Sequence, residues 1–426
     1  MQRHPLTTKL TRSQLWSTLL GNVFEHYDTA LYALLSPFIA PLFFPHFDPL
    51  TALIFTYAII PLGMIVRPLG SLFFGYLGER FGYKTALMTS LFGMACISAL
   101  MGSIPTYAQA GILAPLLLLA CKSLQNVFSV GETIGGAVYL LSNTREQKHD
   151  LLSGIYSSST IAGILLASAG VSFICYFDLL QEGWRILYFI GCLTAFFGCL
   201  LRSQISMDEK PRTVNPSIRE LLTHFWELRL RLLTVAVVAG FSYATYSVAL
   251  ILMNGFAPLV ANVTLNQIMY LNTGLLILDF ATLPLFGWLA SIYSRERMML
   301  ASAACATVTG IPLFMLLDGG TLATVIAMRV CLVIIGVWFS STFHSWSQHF
   351  IPAAHRYSVI AFAYALGSQV FGGPTVSISL WLYHQTGIVS SAAWYWVALG
   401  GFSCLLIALQ TYEKDIKDEN DIVTVT

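Results

Sequence analysis

Long apolar runs, separated only by short polar or Pro/Gly-containing joints, recur from one end of this 426-residue chain to the other. They fall at 13–41, 50–78, 85–104, 111–141, 151–177 and 184–202, and again at 230–253, 266–292, 298–317, 320–350, 357–383 and 392–411. A helix that crosses the hydrocarbon core of a bilayer needs about 20 such residues. In lipid, an open chain has no other way to satisfy its backbone N–H and C=O groups. The expectation is an all-α integral membrane protein with twelve transmembrane helices. Composition agrees, because 10% charged residues is far below the roughly 25% typical of soluble domains. A net charge of +1 without a dense basic cluster excludes a nucleic-acid surface.

The longest hydrophilic stretch, 203–229, divides the chain into a first half at 1–202 and a second at 230–411, with a short tail at 412–426. If the N-terminus is cytoplasmic, 18 of the 22 Lys and Arg residues fall on the inner side and only Arg185 on the outer. That asymmetry places both termini and the linker in the cytoplasm. The first run is too long for a signal peptide and lacks a small-residue cleavage site, so it reads as a retained span. The eight cysteines lie in apolar runs without metal or disulfide spacing, and no metal site is expected. The halves also echo each other. GYLGERFGYKTAL at 75–87 returns as GWLASIYSRERMM at 287–299, and Lys122 has a counterpart in Arg329. Two matched six-helix halves suggest a transporter with its substrate site between them near the midplane.

Four blocks carry a resemblance: GNVFEHYDTALY (21–32), VRPLGSLFFGYLGERFG (66–82), APLLLLACKSLQNVFSVGE (114–132) and GWRI (183–186). The first cytoplasmic hairpin, with Gly75, Leu77, Glu79, Arg80, Gly82 and Lys84, resembles the signature loop of the major facilitator superfamily. The blocks in order resemble its metabolite:proton symporter branch, and most closely the bacterial proline/glycine-betaine transporters. The resemblance is strong through the first half and weak in the second. It implies two pseudo-symmetric six-helix halves, proton coupling, and gating by Glu79, Arg80 and Lys84. Departures exist: His26 stands where the branch has Trp, Thr29 where it has Phe, and QNVFSVGE lacks two glycines. The short tail also lacks a long coiled coil, which removes support for osmotic gating by such a tail.

Charges inside the spans are the candidate machinery, since an ionised group at bilayer depth costs about 3 kcal/mol. Glu25 and Asp28 are three residues apart and share a helix face. Two carboxylates so close in low dielectric do not both ionise readily, so one is expected to take up and release a proton. His26 points to another face. Lys122, Gln125, Ser129 and Glu132 recur at intervals of three, four and three, a polar stripe on one side of a helix. Lys122 suits a solute carboxylate as a point charge, and Glu132, nearer the cytoplasm, suits proton release. Arg67 reads as a counter-charge to the acids or a gate. Arg329 and Asp279 read as a mutual salt bridge or as solute contacts. Tyr32 and other aromatics offer cation–π surface, and Gly372, Gly373 and Pro374 a helix kink.

The expected function is secondary active transport: proton-coupled symport of a small polar solute by alternating access. The solute is expected to be a zwitterion such as proline or betaine, with 2-oxoglutarate or another dicarboxylate as the alternative. The candidate residues are Glu25, Asp28 and Glu132 for the proton, and Lys122, Gln125, Arg67, Tyr32 and Arg329 for the solute. No cofactor is expected beyond the proton gradient. The chain is expected to act as a monomer in the bacterial inner membrane. An enzyme would need a nucleophile–base pair or metal cluster, and a non-transporting sensor a soluble signalling domain. The sequence offers neither.

Overall fold

The computed structural model describes residues 11–47, 49–177, 179–203 and 218–425. Among them every regular element is helical. The first helices are α1 (Arg12–Phe43), α2 (Pro49–Met64), α3 (Arg67–Phe81), α4 (Tyr83–Ser103), a one-turn α5 (Tyr107–Ala110) and α6 (Leu113–Ser142). Then come α7 (His149–Tyr176), α8 (Leu180–Ser203), a short α9 (Ile218–Glu227), α10 (Arg229–Tyr246) and α11 (Met253–Val260). The series closes with α12 (Leu265–Tyr293), α13 (Arg295–Met315), α14 (Leu322–Phe350), α15 (Arg356–Gly367), α16 (Thr375–Thr386) and α17 (Trp394–Val425).

Among the described residues, eleven helical runs are long and apolar enough to cross a membrane. They are α2 with α3, α4, α6, α7, α8, α10 with α11, α12, α13, α14, α15 with α16, and α17. The remaining expected span is α1. Its 32 residues give a length of about 48 Å at ~1.5 Å per residue, ample for a crossing. Its hydropathy is diluted by Glu25, His26, Asp28 and several hydroxyl residues. Outer faces are apolar: Leu193, Phe196, Phe197 and Leu200 on α8 are all exposed, as suits helices facing lipid rather than water.

Local chemistry explains the helix ends. Thr11 and Gln14 close a capping box at the start of α1, and Thr264 and Gln267 do the same for α12. The run expected to be continuous over 50–78 is broken at 65–66, where α2 ends and α3 begins with Arg67–Pro68. Pro68 lacks an N–H and its ring clashes with the carbonyl four residues back, that of Met64, so the ladder stops and restarts there. The kink expected at 372–374 is present. A π-helical turn spans Ser368–Gly372, and α16 starts after Pro374. A second π turn, Ser247–Leu252, joins α10 to α11.

The chain falls into two compact units. One comprises Met1–Glu146, Tyr156–Arg229 and Ile351–Ala365; the other comprises Gln147–Ile155, Leu230–Phe350 and Leu366–Thr426. In the first, Leu31, Leu35, Ile39, Phe43, Met101, Leu118 and Trp184 form a core shared by α1, α4, α6 and α8. Close approach of α7 to α1 requires Gly163, where a Cβ would lie 2.8 Å from the Tyr27 nitrogen. There Asn22 donates to the Tyr156 carbonyl at 3.2 Å and to the Ser159 and Thr160 hydroxyls at 2.7 and 2.9 Å.

Candidate functional site

The polar stripe of α6 faces inward along its whole length: Lys122, Gln125, Ser129 and Glu132 are all buried. Opposite them on α1, Glu25 and Asp28 are buried as well. The structure thus brings seven of the eight expected proton and solute residues, all but Arg329, into one unit. All of these but Arg67 separate into three linked clusters.

Asp28 sits at the centre of the first. Ser98 of α4 donates to its Oδ1, and Gln125 Nε2 donates to its Oδ2 at 2.9 Å. The other end of the Gln125 amide, Oε1, accepts from Lys122 Nζ at 2.7 Å. Lys122 also donates to the Thr29 carbonyl at 3.3 Å and lies over the Tyr32 ring, 5.1 Å from its centroid. The Tyr32 hydroxyl donates to the Thr56 carbonyl at 2.8 Å, which fixes the ring under the ammonium. Acid and base are therefore joined through one amide rather than paired directly.

Glu25 forms the second cluster with His26. Side chains of adjacent helical residues normally diverge, as expected for these two. Here His26 Nδ1 curls back to within 2.5 Å of Glu25 Oε2 and 2.9 Å of the Asn22 carbonyl. Thr133 of α6 donates to Glu25 Oε2 at 3.3 Å.

The third cluster is one that sequence reasoning missed. Glu132 and Arg202 form a two-pronged ion pair at 2.5 Å for each contact, and both side chains are fully buried. In the sequence Arg202 is the inner-side cation that ends the apolar run at 184–202. The signal that would have found it is Glu132 itself, since a buried acid on α6 needs a cation at its own depth. The Tyr156 hydroxyl donates to the carbonyls of Glu132 and Thr133 at 2.9 and 3.1 Å, holding α6 against α7.

Arg67 is half-buried at the start of α3. Its Nε has no hydrogen-bond partner, and no ion pair reaches it among the described residues. The structure does not join it to Glu25 or Asp28. Of the hairpin residues, Arg80 donates to the Tyr76 hydroxyl and lies over the Tyr76 and Phe81 rings. Lys84 Nζ donates to the Ser203 carbonyl at 3.2 Å. The side chain of Glu79 lies outside the described residues. In the same unit the Tyr357 hydroxyl donates to the Gly131 carbonyl at 3.2 Å, and its ring meets Tyr83 edge-on.

In the other unit Arg329 is fully buried among neutral oxygens. It donates to the Ala249 carbonyl at 3.0 and 3.2 Å, to Asn272 Oδ1 at 2.6 Å and to Asn254 Oδ1 at 3.2 Å. Ala249 lies in the π turn of this unit. The salt bridge expected as one reading of Arg329 and Asp279 does not form; Asp279 is buried near Tyr246, and among the described residues no hydrogen bond or ion pair reaches its carboxylate. Asp150, at the start of α7, accepts from Arg295 Nε at 3.1 Å and from the Ser345 hydroxyl at 2.5 Å. Neither Asp150 nor Arg295 drew attention in the sequence. Among the described residues no group of His, Cys, Asp and Glu is placed to hold a metal.

Comparison with known proteins adds to this arrangement of buried charges on membrane-length helices. The family described as sugar (and other) transporter matches residues 15–212. The structure of the proton:xylose symporter XylE superposes with a TM-score of 0.74 at 15% identity, covering 93% of this chain and 94% of that one. The Escherichia coli fucose:proton symporter FucP gives 0.71 at 16% identity, over 93% and 99%. The chain has the major facilitator fold of these two structures, with eleven described helical runs long and apolar enough to cross a membrane. More particularly, it is 24% identical to the proline/betaine transporter of Escherichia coli K12, over 90% of this chain and 80% of that one. A Staphylococcus haemolyticus relative is 27% identical over 93% of this chain and 87% of its own length.

Proposed function

We propose that the chain is a proton-coupled symporter of a small zwitterionic solute of the proline or glycine-betaine kind, working by alternating access in a bacterial cell membrane with both termini cytoplasmic. The observation that carries this reading is the Asp28–Gln125–Lys122 chain. It sets a buried carboxylate and a buried ammonium on either side of one amide. Lys122, with its charge only partly satisfied, suits the carboxylate of a zwitterion. Asp28 and Glu25, two buried acids one helical turn apart on α1, are the groups that carry the proton in this reading. The relatives' names and the proton symporters that share the fold support the same reading.

Glu132 is held by Arg202 and in this reading serves first as a brace. Tyr32 carries Lys122, and Arg67 and Arg329 are further solute contacts. Glu79, Arg80 and Lys84 belong to the gate on the cytoplasmic side. A dicarboxylate such as 2-oxoglutarate is the second reading, favoured by two guanidiniums, Arg67 and Arg329, that no carboxylate meets among the described residues.

Proteoliposomes holding the purified protein test it. An inward proton gradient drives accumulation of radiolabelled proline or betaine, and a protonophore abolishes it. Accumulation indifferent to the gradient removes the coupling, and accumulation of 2-oxoglutarate alone moves the substrate to the second reading.

A further inference from the structure

We propose that Gln125 is the positioning residue that couples the two ligands: its single carbonyl oxygen serves either Lys122 or a protonated Asp28, but not both. The inference rests on the proton-symport reading and names the part that links proton to solute.

A side-chain amide has one accepting end and one donating end. The ammonium of Lys122 only donates, so the oxygen of Gln125 must face it, and it does so at 2.7 Å. The NH2 end is then committed to Asp28 Oδ2 at 2.9 Å. With Ser98 donating to Oδ1, both Asp28 oxygens are acceptors. That pattern fits an ionised Asp28.

A proton taken from the aqueous phase onto Oδ2 forms one O–H bond and turns that oxygen into a donor. It then opposes the N–H of Gln125. Rotating the amide about its last side-chain bond repairs the contact, with Oε1 accepting from Asp28. The same rotation turns the NH2 towards Lys122, and a donor now faces a donor. Lys122 keeps the Thr29 carbonyl at 3.3 Å and the Tyr32 ring, but it has lost its short acceptor. A solute carboxylate supplies the replacement. Proton binding therefore tightens solute binding, and loss of the proton returns Lys122 to Gln125 and loosens the solute. Reciprocity follows from linkage: bound solute holds the proton by the same factor.

Other groups face Asp28 from the packed helices. Glu25 and Lys122 act on it as charges, from α1 and α6. Tyr27 of α1 and Tyr188 and Cys192 of α8 lie near it as neutral groups. The competing route is Ser98: a proton on Oδ1 is met when the Ser98 hydroxyl turns to accept, and Gln125 then stays still.

The experiment measures apparent affinity for radiolabelled proline and for glycine betaine by exchange across proteoliposomes without a gradient, from mildly acidic to mildly alkaline pH. Wild type tightens several-fold on acidification. Gln125→Leu gives a flat profile near the acid wild-type affinity, because Lys122 lacks its short side-chain acceptor at every pH. Gln125→Glu is weak throughout, since a second carboxylate holds Lys122. Ser98→Ala keeps a pH-dependent affinity. The proposal is overturned if Gln125→Leu keeps the wild-type profile, or if Ser98→Ala is the variant that flattens it. A wild type that exchanges neither solute, or whose affinity ignores pH, overturns the symport reading and this inference with it.

Discussion

Asp28 and Asp279 are both buried acids within membrane-crossing segments, yet the two units treat them differently. Asp28 accepts from Ser98 and Gln125 and is tied through that amide to Lys122. Asp279 lies near Tyr246, and among the described residues no hydrogen bond or ion pair reaches its carboxylate. The bases differ in the same way. Arg202 is matched to Glu132 at full burial, whereas Arg329 is held by carbonyl and amide oxygens that carry no charge. In one unit a proton arriving on an acid must rearrange its partners. At Asp279, in the other, a change of charge has no side-chain hydrogen bond or ion pair to rearrange, and the wired acid of that unit is Asp150, held by Arg295 and Ser345. The lesson is that buried charge alone does not make a coupling site; partners that have to choose do.

The comparison breaks most visibly at the brace. Removing one member of a fully buried pair leaves the other charge bare, a loss of about 3–5 kcal/mol. Arg202→Leu and Glu132→Ala should each lower thermal stability in detergent sharply. The paired change Glu132→Gln with Arg202→Met should recover most of it. Failure of the double variant to recover assigns Glu132 a role beyond bracing.

Next in size is Arg329. Arg329→Met strips the acceptors Asn254, Asn272 and the Ala249 carbonyl of their donor, a loss of about 1–3 kcal/mol, read from the same melting curves. Arg329→Lys recovers only part, because an ammonium cannot reach acceptors spread around a planar fork.

Lys122→Ala should weaken solute affinity by about ten-fold, or ~1.4 kcal/mol, in exchange assays. An unchanged affinity takes the solute away from Lys122. The smallest stability change is expected for Asp279→Asn, within about 1 kcal/mol, since no described partner loses a bond. A collapse of that variant means Asp279 is wired after all, and the contrast between the units fails.

Much of this was legible beforehand, for definable reasons. Helix spans follow from apolar length, and α6, expected at 111–141, is found at Leu113–Ser142. The stripe on α6 and the facing acids on α1 follow from helical spacing. The break at 65–66 was missed although Pro68 announces it, because apolarity continues across the joint. Arg202 ends the run at 184–202 as one inner-side cation among many, because position along an apolar run shows length and not depth. The Glu25–His26 contact was invisible because helical spacing separates neighbours by about 100°, and only side-chain reach reunites them. Asp150 with Arg295 joins residues 145 positions apart, which no local pattern reveals.

The most direct measurement is the proton current that accompanies solute in proteoliposomes, recorded side by side for wild type, Asp28→Asn and Asp279→Asn. Proline or betaine should evoke an inward current in wild type, a comparable current in Asp279→Asn and none in Asp28→Asn, which should still exchange solute. A full current without the acid at 28, or its loss only when the acid at 279 is removed, contradicts the account.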